Sequence, residues 1–273
     1  MTATTYPSTP ARPARATLIS RTLKAEWTKL RTLPSTWRTA ALTLAMGVGF
    51  SVAVAFSEVS QWHTMTAQQR EVFDPTSASM SGVMIAAVVL GALAVRTVTA
   101  EYSTGMIRSS FCAVPKRLPV LWGKAIVFGA VAFAISLPSV FIVFFIGQGV
   151  LSGRHINIAL SHPGVVRAMF GAALFLTVMG LFGLGLGAIV RNTAGGIAAL
   201  AAIVFVLPPV MSLLPSSISN AVDPYLPSNA GGAVWTITPD PGTLAPWTGF
   251  ALFCGYAALA LAIAAVLMVR RDT

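Results

Sequence analysis

Charge is what this sequence has least of. Only 10% of its 273 residues are Asp, Glu, Lys or Arg, against roughly 25% in an ordinary soluble domain, and 55% are apolar. Acidic residues are the scarcest, eight against 18 basic ones. A pI near 10.6 suits a nucleic-acid binder only where the cations line a water-facing surface. A chain with mean hydropathy +0.77 has too little of that surface, so nucleic acid is excluded as a partner. Two cysteines, Cys112 and Cys254, are too few for a disulfide framework. The three histidines, His63, His155 and His162, have no ligand spacing of the H-E-x-x-H kind, and no G-x-S-x-G elbow occurs. There is no G-x-x-x-x-G-K-[ST] loop either, because Gly123-Lys124 is followed by Ala125. The reading is a chain with no catalytic residue, no metal and no cofactor of its own.

Long uncharged stretches are what the sequence has instead. They run over 39–57, 75–95, 125–153, 168–190, 192–222 and 241–269, and about 20 mainly apolar residues are enough to cross the hydrocarbon of a bilayer. Each stretch holds one crossing, since even the longest is too short for two crossings and a turn. The expected fold is an all-α integral membrane protein with six transmembrane helices near 39–57, 78–96, 125–147, 168–190, 195–214 and 248–269. The uncharged segment 224–239, broken by Pro224, Pro227, Gly231, Gly232 and Pro239, is too short and too punctuated to be a seventh.

Lys and Arg set the orientation, because cytoplasmic segments near the spans carry the excess. With the N-terminus inside, the inner segments hold Arg12, Arg15, Arg21, Lys24, Lys29, Arg31 and Arg38, then Arg96, Arg108, Lys116, Arg117 and Lys124, then Arg191, and finally Arg270 and Arg271. Only Arg70, Arg154 and Arg167 fall outside, with five of the eight acids, Glu58, Glu71, Asp74, Asp223 and Asp240. The expectation is a multi-pass protein of the cell (plasma) membrane with both termini cytoplasmic. The long basic region ahead of residue 39 is unlike a cleaved signal peptide.

Residues 1–16, with Pro7, Pro10 and Pro13, read as a disordered cytoplasmic tail, and 17–271 as a single transmembrane domain. Within 17–33, Ile19, Leu23, Trp27 and Leu30 fall on one helical face and most of the basic residues lie off it. That is the pattern of an interfacial amphipathic helix seated against anionic membrane lipid. The next notable segment joins the second and third spans. Glu101 to Arg108 reads as a short helix broken at Gly105, followed by the apolar Met106, Ile107 and Phe111. A mere connector has no need of apolar side chains in water, so a docking element is the preferred reading. Gly183 and Gly187, four apart in the fourth span, have the small-residue spacing of close helix packing, within one bundle or across a dimer interface. No Asp, Glu, His, Lys or Arg falls inside the six uncharged stretches, which argues against a proton-driven carrier.

Four stretches carry a family resemblance: Ala25-Glu26-Trp27-Thr28-Lys29-Leu30-Arg31, the loop from Arg96 through Glu101, Gly105 and Arg108 to Lys124, Gly183 to Gly195, and Tyr225 to Gly231. In this order, on a six-span plan, they resemble the permease subunits of ABC-2 type ATP-binding cassette transporters, in particular actinobacterial ones. The resemblance covers about residues 17–271. It implies a cytoplasmic coupling helix after the second span, docked in a separate ATPase subunit that binds ATP and Mg, with Glu101, Gly105, Met106, Arg108 and Phe111 forming or flanking it. It also implies that Glu26, Lys29 and Arg31 face that element from the interfacial helix, that a permease dimer forms with itself or with a sister chain, and that 215–247 dips back into the membrane. The function so implied is the substrate path of an exporter powered by its partner. An ATP-independent carrier or channel, or a membrane sensor or immunity scaffold, is the alternative.

Overall fold

A computed structural model describes residues 15–32, 34–105, 117–238 and 242–270. Twelve α-helices occur among them and no strand. They are α1 (Arg15–Thr32), α2 (Pro34–Gln61), α3 (Ala67–Glu71), α4 (Pro75–Met80), α5 (Gly82–Ser103), α6 (Arg117–Leu151), α7 (Val165–Val190), α8 (Thr193–Ala201), α9 (Leu207–Ser212), α10 (Ser216–Val222), α11 (Pro227–Gly232) and α12 (Pro246–Arg270). Six segments are long and apolar enough to cross a membrane: Ala40–Gln61, Pro75–Ser103, Leu118–Arg154, Val165–Val190, Thr193–Ser212 and Pro246–Arg270.

Local chemistry fixes where these helices start and stop. The Asp74 side chain accepts from the Thr76 N–H at 2.8 Å, and Pro75 takes the first helical position, where its missing donor is harmless. Ser81, itself helical in φ and ψ, is all that separates α4 from α5. The two therefore make one crossing, which runs two turns past Arg96 to end at Gly105 with φ +70°. Arg96 is exposed, so its charge leaves the helix free to continue. Glu101 thus sits in the last turn of the span helix rather than on a short helix of its own. Between α7 and α8 the turn is just Arg191, in the left-handed conformation (φ 58°), and Asn192, whose side chain caps α8 by accepting from the Gly195 N–H at 2.8 Å.

The fifth crossing is interrupted. Residues Ala202–Val206 form a π-helical turn immediately before Pro208-Pro209, which have no N–H to return to the carbonyls four residues back. Below the turn, α8 packs on α5 and α7, with Gly196 and Leu200 buried. Above it, α9 buries no residue.

The core is built around α7, which packs against α5, α6, α8 and α12. Of the most apolar stretch of each span, 67% is buried for α7, 22% for α2 and 17% for the fifth crossing, so the last two lie at the periphery. Phe175 and Phe182 of α7 meet Phe253 of α12 at ring separations of 5.4 and 6.2 Å. Close approach of α5 and α7 requires glycine: a β-carbon on Gly183 would stand 2.5 Å from the Gly91 carbonyl oxygen, and one on Gly187 3.0 Å from Val95. Both glycines thus pack inside one chain, and neither lies on an open face.

The end of the bundle opposite α1 is closed by 216–235. Gly231 lies against the Phe175 and Phe253 rings, and Ser228, Ala230, Gly232, Ala233 and Val234 are buried with it. Arg167, near the start of α7, donates to the Val234 and Thr236 carbonyls at 3.0 and 2.9 Å and pins this segment in place.

Candidate functional site

In an apolar bundle the informative groups are the charges that are buried, and four of them meet. Glu26 of α1, Glu101 in the last turn of α5 and Lys124 of α6 are only 4%, 6% and 8% exposed. Lys29, one turn after Glu26, is partly buried beside them. Lys29 Nζ donates to Glu26 Oε1 at 2.8 Å and to Glu101 Oε1 at 3.0 Å, and Lys124 Nζ donates to Glu26 Oε2 at 2.7 Å and to Glu101 Oε1 at 2.8 Å. The contacts close a ring of alternating sign and zero net charge.

Each helix places its member for a local reason. On α1, Thr22, Glu26 and Leu30 recur every four residues and are the buried stripe. Leu30 joins the main hydrophobic core, with Leu23 packed beside it. Trp27 is 50% exposed, so the helix is rotated to turn Thr22, Glu26 and Leu30, and not Trp27, toward the bundle. The rotation is what brings Glu26 to its two ammonium partners. The helix also lies tight on α6: a β-carbon on Gly123 would come within 2.9 Å of the Thr22 methyl. Lys124 follows Gly123 directly, so the closest approach of the two helices and the ion pair are one contact.

Removing a carboxylate or an ammonium from water costs several kcal/mol, and only well-formed partners offset it. In Glu26, burial pushes the carboxyl upward, but the attraction and hydrogen bonds of Lys124, with those of Lys29, outweigh it and hold the carboxyl below its ordinary range. Burial likewise pulls the Lys29 ammonium down, and its hydrogen bond to Glu26 with the attraction of Glu101 and Glu26 outweighs that and raises it. Both shifts favour the fully ionised ring.

The ring joins three elements far apart in sequence. Glu101 stands just before segment 106–116 and Lys124 just after it, while Glu26 and Lys29 belong to the basic α1. Both roots of that connecting segment are therefore clamped to the same helix. Of the residues singled out in the sequence, Glu26, Lys29 and Glu101 come together here. Gly105 ends α5 with open space around it. Arg31 is exposed and has no ion pair among the described residues. Met106, Arg108, Phe111 and the expected coupling helix fall outside the described residues.

No protein-family model and no curated protein matches the chain.

Lys124 is the member that the sequence did not single out. A lysine in the opening turns of an apolar span needs an anionic partner, and that was the available signal. A second polar joint went unread at the same end. The Arg191 guanidinium lies over the Tyr102 ring at 4.9 Å and donates to the Leu267 carbonyl at 3.3 Å, linking the ends of α5, α7 and α12. Thr99 and Thr193 share a hydrogen bond of 2.6 Å beside it. Among the described residues no group of three or more His, Cys, Asp or Glu could hold a metal ion.

Proposed function

We propose that this chain is the permease subunit of an ATP-driven exporter of the ABC-2 class. It sits in the cell membrane with both termini cytoplasmic and is powered by a separate ATPase subunit that carries the ATP and Mg. One observation carries the reading: the ion ring clamps both roots of segment 106–116, through Glu101 and Lys124, to a third helix, α1. A push delivered to a loop with independent roots is absorbed by the loop. Delivered to a loop with clamped roots, it moves α1, α5 and α6 as a unit. The Lys and Arg bias supports a cytoplasmic location for this joint, where an ATPase subunit can reach it.

On this reading α1 lies along the inner membrane surface, with exposed Trp27, Lys24 and Arg31 toward headgroups and anionic lipid. Residues 106–116 supply the coupling helix, with Met106, Arg108 and Phe111 as its contacts. The outer segment 216–235 is re-entrant. Support for this comes from Gly231 meeting Phe175, ten residues into α7 from Val165, which is about 15 Å at 1.5 Å per residue. The thinly buried α2 and fifth crossing face lipid and the second permease of a dimer, and the path between two such faces suits an amphiphilic or lipid-like substrate, drug or peptide.

The test is a two-part variant in segment 101–111. Gly105→Pro with Arg108→Glu abolishes stimulation of the co-purified ATPase subunit by the permease and leaves membrane insertion unchanged, since neither residue lies in an uncharged stretch. Retained stimulation, or substrate movement by the chain alone in ATP-free vesicles, overturns the assignment.

A further inference from the structure

At the end of the bundle opposite the ion ring, a half-open cleft of about 550 Å³ lies between the outer end of α5 and residues within 219–236 and 242–244. Among the described residues lining it, Asp223 is the one acid and none is Lys, Arg or His. The nearby Arg167 is already committed to the Val234 and Thr236 carbonyls. The Asp223 backbone carbonyl is occupied, accepting from Asn229 Nδ2 at 3.0 Å, while its half-buried carboxylate has no hydrogen bond or ion pair among the described residues. Met84 of α5, Leu244 and Trp235 give the same cleft apolar and aromatic lining. The Trp235 indole Nε1 is buried without an acceptor.

A carboxylate that shares one cleft with an aromatic ring and a thioether, with hydroxyls and carboxamides also in the lining, is the chemistry that recognises a cation on a carbon body. The carboxylate supplies the charge, the ring supplies a cation–π face and the apolar wall takes the methyl or methylene groups. The same set is poorer for an anion, which would meet the Asp223 carboxylate with no Lys, Arg or His among the described residues that line the cleft. We infer that this cleft binds an organic ammonium group. Its position on the far end makes the site independent of the coupling joint and of whether an ATPase drives the chain.

Choline is the probe, with its uncharged isostere, in which the quaternary nitrogen is replaced by carbon, as control. Binding is measured by titration calorimetry on the full chain in nanodiscs of phosphatidylglycerol alone, so that no lipid headgroup supplies an ammonium. The expected result is saturable binding of choline with the isostere about 10-fold weaker or worse. Asp223→Asn weakens choline by a similar factor, and Glu71→Gln, an exposed acid at the same end, leaves it unchanged. Trp235→Phe keeps the ring and retains binding, and Trp235→Ala loses it. Glycerophosphocholine separates the sources. Binding at least as tight as that of choline assigns the site to a lipid headgroup, and weaker binding assigns it to a free cation. As a readout in the unaltered acidic site, choline slows maleimide modification of Ser219→Cys. Equal binding of choline and its isostere, no effect of Asp223→Asn, or no protection at position 219 overturns the inference.

Discussion

Lys124 is the residue on which the ion ring depends most, because it bridges both carboxylates and is almost wholly buried. Lys124→Met leaves two buried carboxylates sharing Lys29 alone. The expected loss is about 3–5 kcal/mol of stability, read as a fall in the thermal unfolding midpoint in detergent. Lys124→Arg keeps the charge and recovers only part of the loss, since a planar guanidinium does not fit where a compact ammonium stood. The signs of the shifts at Glu26 and Lys29 set the pH response. The Glu26 carboxyl is held below its ordinary value of 4.5, so its contribution is full above that value and disappears as the pH falls through the lower folded one. Lys29 is raised above its ordinary 10.5, so its contribution is full below that value and disappears as the pH rises past the higher folded one. Release of α1, followed by protease cutting at Lys24, is expected outside those limits and not between them. Three of the ring's four members were legible as candidates from the sequence. The resemblance set Glu26 and Lys29 facing the Glu101 element, but the pairing through Lys124 was not legible, because Glu26 and Lys124 are 98 positions apart and only the folded chain brings them together.

Elements were read most surely where the signal was the absence of charge. The six crossings follow from the uncharged stretches, because a helix in hydrocarbon has nowhere to put an ion. Their ends were read less well. The second span runs past Arg96 because that side chain points outward, and the third begins at Arg117, seven residues before Lys124. A charge count sees neither, since Arg96 faces out and Lys124 is neutralised by Glu26 and Glu101 inside the helix's packed face. On α1 the apolar spacing picks out Leu30 but not Thr22 and Glu26, which share its buried stripe, because a salt bridge has no hydrophobic signature. The α5–α7 seam gives a direct test. Gly183→Ala places a methyl group 2.5 Å from the Gly91 carbonyl oxygen and costs about 1–3 kcal/mol through forced separation of the two helices, measured by chemical unfolding in micelles. Gly255, with open space around it, is the matched control: Gly255→Ala is expected to be neutral or mildly stabilising.

For the whole molecule, the Lys and Arg distribution predicts which end faces the cytosol, and the cysteines allow that to be measured. Cys112 lies in the segment whose roots the ring clamps. A membrane-impermeant maleimide is expected to reach it in inside-out vesicles and not in intact cells, and labelling from outside would invert the topology and with it the coupling proposal. The ring's neutrality bears on the same geometry. Moving one unpaired charge through a membrane potential takes about 2.3 kcal/mol per 100 mV. Two carboxylates and two ammoniums displaced together take no net electrical work, so the ring itself adds no voltage dependence to any displacement of this joint.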